Sequence, residues 1–171
     1  MRRAMTVFLA VLLLGVAAGT VSATEIAVVD TERLLTQSIP GKKGQEHLSE
    51  VQKVLQKGYN DLVALYRGRE NSPEAQDIIR QGQAALEQQM AVERNAALVV
   101  LQSELAAATE AWRKKNPRIQ AVVSRQLLLG ADSKLDVTNA VMKEMNKRTP
   151  KFADLPTVTV NKPAPAQPAQ K

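Results

Sequence analysis

The sequence predicts an α+β fold, mostly helical, in which a small β-body carries an inserted antiparallel coiled-coil helical hairpin. Three observations predict it. A short β-branched run, Ile26-Ala27-Val28-Val29, comes early in the chain. From Gly41 to Pro117 the texture changes to Gln, Glu, Lys, Ala and Leu, with apolar residues at helical steps. Two further short apolar runs, 119–123 and 126–130, come only after that stretch. A compact sheet has to bring both ends of the helical region together, so the helices read as an insertion in the body.

The chain opens on Arg2 and Arg3, and no acid precedes Glu25. An apolar run from Val7 to Ala18 follows, then the small residues Val21-Ser22-Ala23. Positive start, short apolar stretch and small residues before a cut make a secretory signal peptide, residues 1–23, cleaved after Ala23. The run falls well short of the roughly 20 residues that a membrane-spanning helix needs. Formal charge is +6, from 23 Lys and Arg against 17 Asp and Glu. Two of those charges leave with the signal.

Ile26 to Val29 suits a buried strand. Asp30 or Thr31 then offers an N-cap for a brief helix, 32–37, and Ser38-Ile39-Pro40-Gly41 breaks it. Leu48, Val51, Leu55, Leu62 and Leu65 recur at steps of three, four and seven, with Tyr59 and Tyr66 beside them, and form one helix face. Gly68, Asn71, Ser72 and Pro73 interrupt, and Pro73-Glu74 starts a second helix. Its stripe is Ile79, Leu86, Met90, Ala97, Leu101, Ala108 and Trp112, a heptad seam weakened at Gln83, Glu93 and Glu104. Two helices joined by a short turn fold back antiparallel. Two architectures satisfy that pattern, a hairpin within an ordinary bundle and a projecting arm. Gly58 and Gly82 are candidate bends, since glycine weakens a helix interior. Ala96 to Leu101 is apolar all round and is expected to be buried in the body or a subunit interface.

Asn116-Pro117 ends the helices. Residues 119–123 read as a strand, Ser124-Arg125 as a turn, and Gln126–Gly130 as a returning strand. A last helix is expected over 138–147, with Val141, Met142 and Met145 as its apolar face. From Pro150 the chain is rich in Pro, Ala and Lys and reads as a disordered tail, 150–171. The domain plan is therefore a discontinuous body, 24–40 and 117–149, an arm, 41–116, and the tail. Three short strands barely make an independent core, which argues for oligomerisation.

Chemistry finds little footing. There is no cysteine, one histidine and 3% aromatic residues. Thiolate metal sites, cysteine nucleophiles, His-paired metals and base-stacking platforms for nucleic acid are excluded or disfavoured. His47 reads as a solvated helix-face residue. Asp132 and Asp136 read as a turn and a helix cap rather than a catalytic pair. Gly41-Lys42-Lys43-Gly44 lacks the spacing of a phosphate loop. Arg67 with Arg69, and Arg113-Lys114-Lys115 with Arg118, are genuine basic clusters that suit solvated faces or anionic partners. No catalytic residue, metal site or cofactor is expected, and the chain does not read as an enzyme.

The two ends of the body carry a likeness. Ile26-Ala27-Val28-Val29-Asp30-Thr31-Glu32-Arg33-Leu34-Leu35 with Ser38-Ile39-Pro40-Gly41-Lys42 resembles the opening of the Skp/OmpH family of periplasmic chaperones. Gln126–Gly130, Ala131-Asp132-Ser133, Leu135-Asp136-Val137-Thr138 and residues 141–146 resemble that family's closing strand, Ala-Asp loop and terminal helix. The resemblance implies a homotrimer whose β-body is completed by three subunits and whose three coiled-coil arms enclose a cavity. It also implies an ATP-independent holdase in the periplasm, with unfolded outer-membrane proteins as partners and anionic lipid head groups as a further candidate. Candidate client-binding residues are Val51, Leu55, Tyr59, Leu62 and Tyr66, with Arg67 and Arg69 at the tip. The apolar ones also suit the seam between the helices. Candidate oligomer-body residues are Ile26, Val28, Val122, Leu127 and Leu129. A different reading is a structural envelope protein whose hairpin binds a folded partner or the cell wall. The arm region, 41–117, holds 11 Lys and Arg against 10 Asp and Glu, so the basic excess lies after it.

Overall fold

Strand β1 (Glu25–Val29) and strand β2 (Ile119–Ser124) lie side by side and parallel, as Ala27 pairs with Val122 and Val28 with Val123. Parallel neighbours need a crossover, and here the crossover is most of the protein. The computed structural model describes residues 25–160. The expected signal peptide and the last tail residues, 161–171, lie outside the described residues. Between the strands run α1 (Thr31–Gln37), α2 (Ile39–Leu65) and α3 (Pro73–Arg113), and after them comes α4 (Thr138–Met145). The chain is mostly helical, with this small two-stranded sheet beside long helices.

Each boundary has a local cause. Asp30 caps α1, its carboxylate accepting from the Arg33 N–H at 2.9 Å. Ser38 ends α1 and caps α2 in one step: its hydroxyl accepts from the Gly41 N–H at 3.0 Å. The helix therefore starts at Ile39, ahead of the expected break. Pro40 sits in the first turn, where its missing N–H has no helical partner to lose. Ser72 caps α3 through the Ala75 N–H, with Pro73 as the first helical residue. Gly68, at φ +83°, supplies the left-handed turn between the two long helices.

The core gathers at one end of α3. Ala108 and Trp112 pack there with Ala27, Val29, Leu34, Val141 and Met145. Leu34, Val141 and Met145 are fully buried. The α4 face thus follows the expected pattern, and the body includes the last turns of the long helix. Thr138 ties the parts together: its Oγ1 accepts from the Asp30 N–H at 2.8 Å, and its N–H donates to Asp136 Oδ1 at 2.9 Å. The Val137 N–H donates to the Val28 carbonyl, so β1 is bordered on both sides.

Other expectations change as well. Residues 126–130 form no strand: Arg125–Leu127 is a 3-10 turn, and Leu127 and Leu129 project into solvent. The Gln126 side chain explains the turn. Its Nε2 donates to Asp30, and its Oε1 accepts from the Ser124 and Thr31 hydroxyls. Those bonds hold the chain against the start of α1 rather than alongside β2. Within the single chain Ala96–Leu101 is not enclosed by the body, since Leu98 and Val99 are exposed while Ala97 is buried, which leaves the subunit interface of the two expectations.

The glycines Gly58 and Gly82 interrupt neither helix. They are seats, because a Cβ on Gly82 would collide with Leu62 and one on Gly58 with Val158. The tail is corrected as well. From Pro150, which is buried, to Val160 the chain is extended and laid against the long helices, with Phe152 on Gly44 and Val158 on Gly58. An extended segment needs no core of its own when another surface supplies the seats.

Candidate functional site

Helices α2 and α3 run antiparallel, since Gly44 meets Leu101 near the body and Leu62 meets Gly82 near the far turn. The heptad spacing of both sequences places their apolar stripes face to face. Val51 and Leu55 are buried between them. Tyr59 and Leu62 are half-buried. Midway along, Leu55, Tyr59, Leu86 and Met90 floor a groove of about 310 Å³, rimmed by Gln52, Gln56, Gln83 and Glu87. An apolar floor with a rim of three amides and one carboxylate suits weak, sequence-tolerant contact with apolar chain segments.

At the far turn Tyr66 is buried, with the Arg69 guanidinium 5.9 Å above its ring, a cation–π contact. Arg67 and Arg69 are exposed. The Glu70 carboxyl is held below its usual range by its own backbone N–H, then by that of Gly68, with Arg67 adding attraction. A carboxylate thus stands among the tip arginines and reduces their net positive field. The second basic cluster is partly neutralised too. Arg113 forms a two-pronged pair with Glu110 at 2.8 and 2.9 Å, and Lys115 meets Glu144 at 2.7 Å. Lys115 and then Lys147 hold the Glu144 carboxyl low.

The structure therefore divides the candidate client residues. Leu55 and Tyr59 share a groove wall, Val51 and Leu62 serve the helix seam, and Tyr66 with Arg67 and Arg69 forms a separate tip. The body residues divide as well: Val28 is buried, Val122 half-buried, Ile26 exposed at 41%, and Leu127 and Leu129 almost wholly exposed. Asp132 and Asp136 are cap residues, accepting from the Lys134 and Thr138 N–H groups. Among the described residues no three His, Asp or Glu side chains come together to hold a metal. No helix among them is long and apolar enough to cross a membrane.

Sequence reasoning missed a further surface. His47, expected to be solvated, is half-buried and stacked on Phe152, with ring centroids 5.0 Å apart and planes 13° apart. Gly44, Leu101 and Gly58 complete the track on which the C-terminal segment lies. Two signals marked it: glycines fourteen residues apart in one helix, and Pro156-Thr157-Val158-Thr159-Val160, which alternates apolar and polar. No family model, curated protein or solved structure matches the chain.

Proposed function

We propose that the protein is an ATP-independent holdase of the periplasm, assembled as a homotrimer of the Skp/OmpH kind, which sequesters unfolded outer-membrane proteins between helical arms. The observation that carries the reading is an apolar body surface left open beside a long helical pair. Ile26, Leu127 and Leu129 are exposed next to a sheet of only two strands among the described residues. Further copies supplying strands to that edge would cover those side chains and close the body. The α2–α3 pair then serves as the coiled-coil arm, three of which bound a cavity. The groove floored by Leu55, Tyr59, Leu86 and Met90 gives that cavity an apolar lining without a fixed ligand geometry. Retention follows from many weak contacts and confinement, with affinity from multivalency. Signal cleavage after Ala23 and release into the periplasm complete the reading.

The test dilutes a urea-denatured outer-membrane β-barrel into buffer with stoichiometric Thr24–Lys171. Light scattering is expected to fall, and sedimentation is expected to give a trimer. Unchanged scattering overturns the holdase reading and favours the structural envelope protein. A stable folded monomer removes the cavity.

A further inference from the structure

The segment Pro150–Val160 lies along α2, with two side chains seated on two of its glycines. Phe152 sits at Gly44, its Cζ 3.3 Å from where a Cβ would be, and Val158 sits at Gly58, its Cβ 2.9 Å from the corresponding point. Fourteen helical residues rise about 21 Å. Six residues of extended chain span about 20–22 Å. Phe152 and Val158 are six apart, so an extended segment reaches both seats. The seats share a helix face, because fourteen steps of about 100° return to within about 40°.

What holds the segment is equally informative. Among the described residues no hydrogen bond or ion pair joins Lys151–Val160 to the rest of the chain, and the attachments are a ring stack and apolar seats. Pro156, Val158 and Val160 are half-buried while Thr157 and Thr159 are exposed. That is the in–out alternation of a strand. Each seat glycine weakens the α2 interior relative to alanine, and a snug seat is what the helix gains.

We infer that this track is a binding site for extended peptide with an aromatic and a β-branched residue six positions apart, and that Pro150–Val160 is its resident, displaceable occupant. Membrane β-strands alternate apolar and polar side chains in the same manner, so an unfolded barrel strand is the competing ligand. That client role rests on the holdase reading, whereas the seat itself does not. The Arg148–Glu104 ion pair anchors the chain just before the segment. Tethered so closely, the occupant has a high effective concentration. A client displaces it only by engaging several arms or grooves at once. The segment thereby keeps the empty track covered and sets a threshold for capture.

The chain has no native cysteine, which makes a clean lock available in the full-length protein. His47→Cys/Phe152→Cys, placed where the two rings stack at 5.0 Å, leaves both glycine seats intact and is expected to cross-link on oxidation. The probe is a fluorescein-labelled synthetic peptide of Pro150–Val160, followed by anisotropy. The oxidised form is expected not to bind it, the reduced form to bind weakly, and full-length Phe152→Ala/Val158→Asp to bind at least tenfold more tightly than wild type. Equal binding by oxidised and reduced forms overturns the inference. So does failure to cross-link, or an unseated variant no tighter than wild type. If the peptide order holds while the unseated variant leaves barrel aggregation unchanged, the site stands and the holdase reading falls.

Discussion

The two ends of α3 live in different surroundings. At the body end, Ala108 and Trp112 are enclosed by Leu34, Val141 and Met145, which have no contact with water. Toward the far turn, Ile79, Leu86 and Met90 are only half-buried, and Leu86 and Met90 share a groove with Leu55 and Tyr59 of α2. One end is held by filled volume, the other by a seam one side chain deep. A helix can thus be continuous in hydrogen bonding and uneven in stability along its length.

The comparison breaks most readily at a core methionine. Met145→Ala is expected to cost about 2–5 kcal/mol, because the site is closed and cannot collapse. Leu86→Ala, at an open groove, is expected to cost less than about 1.5 kcal/mol, since water fills the space left. Urea melts of the two variants measure the contrast, and equal losses would abolish it. Next comes the polar tie of the body. Thr138→Val keeps the shape and strands the Asp30 N–H, an expected loss of about 1–3 kcal/mol. Ser38→Ala removes a buried cap at the junction of α1 and α2, with an expected loss of about 1 kcal/mol.

Acid sharpens the same contrast. The Asp136 carboxyl is held low, first by the Thr138 hydroxyl, then by the Thr138 N–H, with Arg125 and Arg33 adding. Its folded pKa lies below its unfolded one, so its contribution is whole above the unfolded value and fades as pH falls through the folded one. Urea midpoints should therefore decline as pH drops below about 4, and Asp136→Asn should flatten that limb. An unchanged acid limb in the variant would remove Asp136 from the account. The smallest effect belongs to the exposed Lys57–Asp61 pair on α2. Lys57→Ala should change stability by less than about 0.5 kcal/mol, falling further in high salt.

Legibility followed the same division. Helices whose stripes recur every three or four residues were readable because burial imposes that period, and Asp30, Ser72 and Pro73 marked ends with side chains that supply or avoid a hydrogen bond. Ser38-Ile39-Pro40-Gly41 misled because proline and glycine break a helix interior yet suit its first turn. Leu127-Leu128-Leu129 has the composition of a strand. Strand formation needs a neighbour, and Gln126 instead bonds to Asp30, Ser124 and Thr31. The C-terminal segment was unreadable from composition alone, since its order is borrowed from Gly44, His47 and Gly58 more than ninety residues earlier. Leu55 lies on the stripe and Tyr59 beside it, so helical spacing put both on one face. Phe152 belongs to no stripe.

The parallel pairing of β1 with β2 has a kinetic consequence. Ala27 must find Val122, about 95 residues later, and contacts so distant in sequence are slow to form. Local zipping of α2 against α3 brings the two ends within reach and leaves only short connections to close, each at modest entropy. The helical pair is then the tool that assembles the body, and during synthesis β1 emerges first and waits longest for its partner.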